Sequence, residues 1–459
     1  MRKILFVFSY PLCVRNFIHS GLLNECVKNG SSVSILSPYQ RDTFEDAWGN
    51  KYQNTCIPSV GKDQWGTPLI EGAGRYFRML TSLRMRGYSI EYPDGSLQTM
   101  ELKEPTNTLW YASWLLIKLF PRRSAGRKLL RKIYDKMGPG NRQIDRVIST
   151  EKPDLVVTST MGHLPIDFIA LTVAKRHDVR TACVLLSWDN LYSRGPVYKH
   201  PDKLLVWSKM MHEQATRVHQ FDNNDVKIVG PLQFVNYAGD LTTEELNVVR
   251  SKFSLEATDK YILFVCGGRT PQYDIEDIEA MLGVLRQSAY KNHKIIVRPH
   301  PQVNPRHYDV IKDRVLLDYS PEILDVDDPA KLFSRAEVRY MAALLSQADF
   351  VVSSWGTTAL LEAIIFNKKV VQLNWFDSVG HADKKQREMV SNFQRYYHMI
   401  ELDNYNGRLF SSSPSDLVSK FDELNLRDEY FTANRKRIRQ DFTTGDYENV
   451  ASRAARELI

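Results

Sequence analysis

The strongest constraint on this chain is an alternation that runs through it twice. Short apolar runs rich in β-branched and aromatic residues alternate with longer stretches of helical character, the pattern of strands buried on both faces of parallel sheets. In the first half the runs fall at residues 3–9, 33–37, 155–160, 180–187, 204–208 and 226–230. The pattern restarts at 261–266, 294–298, 315–318, 350–354 and 370–374. Between the two sets, Gly230-Pro231 and the stretch from Tyr237 to Thr242 read as a connector leading into a capped helix. At 459 residues the chain is long enough for two or three domains with cores of their own. The expectation is α/β: one domain over residues 1–235, a second over 236–435, and a C-terminal helix over 436–459 that packs back on the first. Residues 41–136 break the pattern and read as an irregular, partly basic insertion in the first domain.

Composition closes off several classes. Apolar types at 43% and charged types at 25% are ordinary globular values, which argues against wholesale disorder. Cys13, Cys26, Cys56, Cys183 and Cys266 are widely spaced, with no C-x-x-C pair and no Cys/His cluster. They indicate neither a zinc site nor a disulfide framework and read as small buried hydrophobes. The opening Met1-Arg2-Lys3-Ile4-Leu5 runs into polar sequence with no small-residue cleavage site, so it reads as a first strand rather than a secretory signal. The apolar run from Leu109 to Ile117 is well short of the ~20 residues a spanning helix needs. A cytoplasmic protein is the expectation.

Three strand ends in the second half concentrate residues able to bind phosphate. Cys266-Gly267-Gly268-Arg269 follows the first run: two glycines let backbone approach a ligand, and Arg269 can face anionic oxygens. The second feature is Arg298-Pro299-His300-Pro301, where two prolines end the strand and fix the backbone around one imidazole. His300 there can donate a hydrogen bond or a proton to a departing phosphate oxygen, with Arg298 supplying charge. The third is Ser353-Ser354-Trp355-Gly356-Thr357-Thr358 leading into a helix with Glu362. Hydroxyls and unpaired amides at such a helix start make an anion site, unless they serve only as caps. Thr358 and Glu362 share a helix face, where Glu362 is either a ribose ligand or a solvated surface acid.

In this order the motifs resemble the nucleotide-binding domain of GT-B glycosyltransferases over residues 260–375. The pairing of His300-Pro301 with Ser353-Ser354 is similar to the HP and serine motifs of bacterial polysialyltransferases, capsular Kdo transferases and CDP-glycerol glycerophosphotransferases. The resemblance implies two Rossmann-like domains with parallel sheets facing a central cleft. It implies that His300, Ser353 and Ser354 contact the phosphate of a nucleotide donor and that Glu362 binds its ribose. The implied donor is a CMP- or CDP-activated sugar, with UDP-linked donors also open. GT-B enzymes hold the diphosphate with amides, hydroxyls and basic groups, so no metal or other cofactor is implied. Asp325-Val326-Asp327-Asp328 accordingly reads as a capping turn rather than a D-x-D metal motif. The loop with Asp377 and His381 takes the position that often meets the donor sugar.

The first half resembles a GT-B acceptor domain more loosely. Tyr10 to Phe17 has the place of its first loop, with Arg15 and Asn16 as acceptor contacts where many such enzymes carry a Gly-His pair, and His19 one turn further on. Asp189, at the end of a strong strand in Ser187-Trp188-Asp189-Asn190, and His19 are the candidate bases for an acceptor hydroxyl; an Asp-Asn turn is the structural alternative for Asp189. The expected activity is metal-independent sugar transfer onto a glycan or lipid-linked acceptor in surface polysaccharide assembly, such as capsule or lipopolysaccharide. Two rivals stay open: a CDP-polyol phosphotransferase and a nucleotide-sugar 2-epimerase. The epimerase signature Gly-Gly-x-x-Glu-Glu is not matched by Ser354 to Thr358.

The net charge of +7 has an address. Residues 118–136 hold eight basic side chains and one acid, which accounts for the whole excess. They follow an aromatic, apolar strip at 109–117, a combination suited to the headgroups of an anionic membrane or to a helix with a solvated basic face. A nucleic-acid partner is not expected, because the aromatics precede the charges instead of interleaving with them and no binding motif is present.

Overall fold

The computed structural model describes residues 1–39, 52–57, 135–136, 140–191, 199–267, 271–300, 303–319, 335–354, 358–375 and 397–459. The chain forms two compact units, Met1–Val235 with Phe442–Ile459, and Asn236–Asp441.

The first unit is built on a seven-stranded parallel sheet in the order β3-β2-β1-β4-β5-β6-β7. Its strands are β1 (Lys3–Val7), β2 (Ser32–Ser37), β3 (Gln53–Cys56), β4 (Leu155–Thr158), β5 (Arg180–Val184), β6 (Lys203–Val206) and β7 (Val226–Ile228). The central strands are buried along nearly their whole length because helices cover both faces, which is why they read as unbroken apolar runs. After β1 the chain forms six residues of π-helix, Val14–His19; then Gly21 takes φ +83°, a conformation that favours glycine, and opens α1 (Leu22–Lys28). Helices α2 (Arg142–Glu151), α3 (Pro165–Arg176) and α4 (Lys209–Arg217) connect the later strands. Asn141 caps α2 by accepting from the N–H groups of Gln143 and Ile144, and Ser208 caps α4. One face of α3, with Ile169 and Val173, packs into a core with Leu5, Val7 and Val156.

The second unit carries a six-stranded parallel sheet in the order β10-β9-β8-β11-β12-β13. Its strands are β8 (Tyr261–Val265), β9 (Lys294–Arg298), β10 (Leu316–Leu317), β11 (Phe350–Ser353), β12 (Lys369–Leu373) and β13 (Leu409–Ser411). The helices are α5 (Thr243–Lys252), α6 (Pro271–Leu285), α7 (Arg335–Gln347), α8 (Thr358–Ile365), α9 (Tyr397–Asn404), α10 (Pro414–Leu426) and α11 (Asp428–Thr443). α5 opens with a reciprocal capping box between Thr242 and Glu245, and Arg339 of α7 clamps the same Glu245 through Nε and Nη2, each at 2.6 Å. Phe264, Ile278, Val297, Tyr308, Phe350 and Phe421 lie in one continuous core.

Residues 436–459 are not one helix. α11 ends at Thr443, Thr444 and Gly445 both adopt left-handed φ (68° and 72°), and α12 (Val450–Leu458) follows. α12 buries Val450, Ala451, Ala454, Ala455 and Leu458 along one face and packs against α1 within the first unit. Arg453 Nε donates to the Val229 carbonyl at 3.0 Å, and Lys203 Nζ pairs with Glu457 at 3.2 Å. Among the described residues no helix is long and apolar enough to cross a membrane. The basic segment lies outside the described residues except for Asp135 and Lys136.

Candidate functional site

In open parallel sheets, ligands meet the loops at the carboxyl ends of strands, above all where the strand order reverses. The second unit reverses between β8 and β11, the first between β1 and β4.

In the second unit, β9, β8 and β11 are neighbours, so His300, Gly267 and Ser354 leave the same sheet edge on adjacent loops. Two carboxylates of α6 hold these loops from below. The Gly267 N–H donates to Asp274 (3.2 Å to Oδ2), and the Tyr308 hydroxyl donates to the same oxygen at 2.9 Å. Asp274 is fully buried; burial pushes its carboxyl up to about 7 against the Tyr308 hydrogen bond, and the charge of Asp277 pushes the same way. Asp277, one turn further along α6, accepts the Ser354 hydroxyl at 2.5 Å. One helix thus ties together the two loops at the reversal point.

Ser353 is the last residue of β11, fully buried opposite Gln372, and Ser354 is 4% exposed. Thr358 opens α8 half-buried, and Glu362 lies one turn in at 7% exposure, so it is not a solvated surface acid. His300 is half-buried after Pro299.

Arg298 differs from its sequence reading as a phosphate ligand. Its Nη1 donates to Asp318 at 2.7 Å and its Nη2 to Glu337. Asp318 also accepts from Lys252 Nζ at 2.7 Å and from the Tyr340 hydroxyl at 2.6 Å. Burial opposes the Arg298 charge, but Asp318 and Glu337 outweigh it and hold the guanidinium above its ordinary pKa. Asp318, despite burial, is drawn below the usual carboxylate range by Arg298 and Lys252. The guanidinium is the hub of an ion cluster that braces β9, β10, α5 and α7. Gly268, Arg269, Gly356, Thr357, Asp377, His381 and the run Asp325–Asp328 lie outside the described residues.

In the first unit, the π-helix after β1 carries Arg15, Asn16 and His19, and such turns recur at functional sites. Arg15 is half-buried and its Nη2 donates to Gln233 Oε1 at 2.5 Å. Asn16 departs from its reading as an acceptor contact: it is fully buried, and its Nδ2 donates to the Leu12 carbonyl at 2.9 Å. His19 is half-buried at the end of the π-helix. Asp189 is half-buried in a hydrogen-bonded turn after β5, where it accepts from the Ser187 hydroxyl while Asn190 Oδ1 accepts the Ser187 N–H at 3.1 Å.

Sequence reasoning missed the buried acids. Asp274 and Asp277 were visible as an i, i+3 acid pair beside the glycine loop, and Asp167 as a lone acid in the apolar run Pro165-Ile166-Asp167-Phe168-Ile169. A carboxylate placed there without a partner in sequence must find hydrogen bonds in the fold.

No protein-family model and no curated protein matches the chain. Among solved structures, the chain is similar to UDP-GlcNAc 2-epimerase from Neisseria meningitidis bound to UDP-GlcNAc, with 13% identity, TM-score 0.54, and 100% of this chain and 99% of that one covered. It is similar to UGT89C1 of Arabidopsis thaliana complexed with UDP, at 12% identity, TM-score 0.51 and full coverage of both chains. S. aureus MnaA with UDP aligns over 98% of this chain and 94% of that one, at 13% identity and TM-score 0.51. Two parallel sheets that each reverse their strand order once, together with these likenesses along the whole chain, make this a protein of the GT-B fold.

Proposed function

We propose that the chain is a glycosyltransferase that takes its sugar from a nucleotide-activated donor. The observation that carries this reading is the loop set at the β9-β8-β11 edge: His300, Gly267 and Ser354 side by side, two of the loops held by the carboxylates of α6, and Glu362 buried on the following helix. Backbone amides, hydroxyls and an imidazole at such an edge suit a diphosphate, whose charge grows as the sugar leaves. The three similar structures named above hold UDP or UDP-GlcNAc, which moves UDP-linked donors ahead of the CMP and CDP donors suggested by the HP and serine motifs. In this reading the second unit binds the donor and the first binds the acceptor, with Asp189 and His19 as the bases read from sequence. The acceptor is a glycan or lipid-linked sugar of a surface polysaccharide. The basic segment at 118–136 supports docking to an anionic membrane; replacing its basic residues with Gln should release the protein from phosphatidylglycerol vesicles.

A second reading, nucleotide-sugar 2-epimerisation, is favoured by the likeness to the Neisseria enzyme. Incubation of the protein with UDP-sugars, with and without oligosaccharide acceptors, separates the two. Transfer predicts product only when acceptor is added, with free nucleotide released. An isomerised nucleotide sugar formed without acceptor would replace this reading by the second, and a phosphodiester in the product, seen by phosphorus NMR, would point to polyol-phosphate transfer.

A further inference from the structure

The reversal point of the first unit holds a polar cluster that the sequence motifs did not include. Ser9 leaves β1, Ser159 and Thr160 leave β4, and Asp167 stands in the first turn of α3. Ser9 Oγ and Ser159 Oγ lie 2.6 Å apart. Asp167 Oδ2 accepts from Thr160 Oγ1 at 2.6 Å and from Ser159 Oγ at 3.4 Å. Asp167 is fully buried, and its Oδ1 has no hydrogen-bond partner among the described residues. Ser9, at the other end, is half-buried. The cluster is therefore a line of hydroxyls leading from the sheet edge to an enclosed carboxylate.

We propose that Ser9, Ser159 and Asp167, in place of Asp189 or His19, form a relay that takes up the proton of the acceptor hydroxyl during sugar transfer. The proposal rests on the reading above, in which the first unit binds the acceptor. As the acceptor oxygen bonds to the anomeric carbon, the bond from that carbon to the nucleotide phosphate breaks and its electron pair leaves on the phosphate oxygen. The acceptor's proton passes to Ser9 Oγ, the Ser9 proton to Ser159 Oγ, and the Ser159 proton to Asp167 Oδ2. The carboxylate becomes a neutral acid, and the negative charge it loses reappears on the departing nucleotide. Burial pushes the carboxyl up to about 7, with hydrogen bonds from Thr160 and Ser9 holding it back, as burial also raises Asp274; what sets Asp167 apart is the line of hydroxyls reaching it from the sheet edge. Oδ1, without a donor, leaves the ionised form under-solvated, so the carboxyl favours taking a proton at Oδ2.

The titratable and charged groups near Asp167 are Cys13, Cys183, His163 and Lys199. Burial pushes the Cys13 thiol up to about 11, and Cys183 well above its ordinary value, so both stay neutral. The backbone N–H of His163 donates to Thr160 Oγ1 at 3.2 Å, and the buried Lys199 ammonium lies over the Phe168 ring at 4.6 Å and donates to the Asp135 carbonyl at 3.3 Å.

The test is the pH–rate profile of full-length protein, pH 5 to 9, following nucleotide released from UDP-N-acetylglucosamine, UDP-glucose and CDP- and CMP-linked donors with an oligosaccharide acceptor. Calorimetric binding of each nucleotide is measured in parallel. Wild type should gain rate through a limb near pH 7, the acid form being inactive. Asp167→Asn should lose the limb and ~10²-fold in rate, Asp167→Glu should restore the limb, and Ser9→Ala should lose rate with nucleotide binding unchanged. Ser9 is half-buried on a loop, so its variant carries the test if Asp167→Asn fails to fold. Variants that keep the wild-type limb and stay within twofold in rate, or a wild type with no limb, overturn the relay while nucleotide binding stands. A wild type that binds no nucleotide overturns the functional reading itself.

Discussion

The two reversal points use similar parts to different ends. Each places buried aspartate near the start of a helix and links it to serine hydroxyls on the loops of the central strands. In the second unit Asp274 accepts at both oxygens, from the Gly267 N–H and the Tyr308 hydroxyl, and Asp277 holds the Ser354 hydroxyl. In the first, Asp167 keeps one oxygen without a donor among the described residues. Asp274, engaged at both oxygens, fixes the glycine loop; Asp167 stands at the end of a line of hydroxyls that can carry a proton to it. The contrast separates a platform for a ligand that must be held still from a sink for a proton that must move.

The largest expected effect concerns the platform. In the proposed reading His300 donates to the leaving phosphate, so His300→Ala should lower transfer by ~10³-fold without altering the far-UV circular dichroism. Wild-type turnover in that variant would break the assignment of the second unit as the donor side.

The next effect sharpens the comparison through stability. Asp167 and Asp274 both sit at about 7 when folded, against an ordinary carboxyl near 4. At these two sites the folded chain holds protons that the unfolded chain has lost between those values, so their contribution to stability is full below about pH 4 and is lost as pH rises through 7. Asp167→Asn and Asp274→Asn should each raise the melting temperature at pH 8, by up to ~4 kcal/mol of stability, and leave it nearly unchanged at pH 4. Equal effects at both pH values would show that neither acid is displaced.

Asp277→Ala should weaken nucleotide binding ~10-fold by freeing the Ser354 loop, and Asp277→Asn, which can still accept the hydroxyl, should weaken it less. The smallest effect is a control: Thr242→Ala removes the capping box of α5, costs ~1 kcal/mol of stability, and should move neither the pH profile nor nucleotide affinity.

Much of the fold was legible because buried parallel strands are apolar runs: 294–298 coincides with β9, and most other runs end within two residues of their strands. The misses are at sheet edges. β3 reads Gln53-Asn54-Thr55-Cys56 and β13 spans three residues; an edge strand covered on fewer sides needs little apolar content. After β1, the left-handed conformation of Gly21 separates a π-helix from α1, a break that apolar periodicity does not announce. At the site, glycine, His-Pro and serine motifs were readable because they act through backbone shape. The ion pairs of Arg298 were not readable because Asp318 and Glu337 lie 20 and 39 residues away, a distance only the fold closes. Asp167, Asp274 and Asp277 escaped for the same reason: a buried acid announces itself only by its surroundings.

The central claim is that the β9-β8-β11 edge holds a nucleotide. Its most direct test is calorimetric titration of UDP, CDP, CMP and GDP into the wild type and into His300→Ala. The account predicts saturable binding of at least one pyrimidine nucleotide to the wild type and at least ~10-fold weaker binding to the variant. Absence of binding for all four, or equal affinity in both proteins, would contradict it.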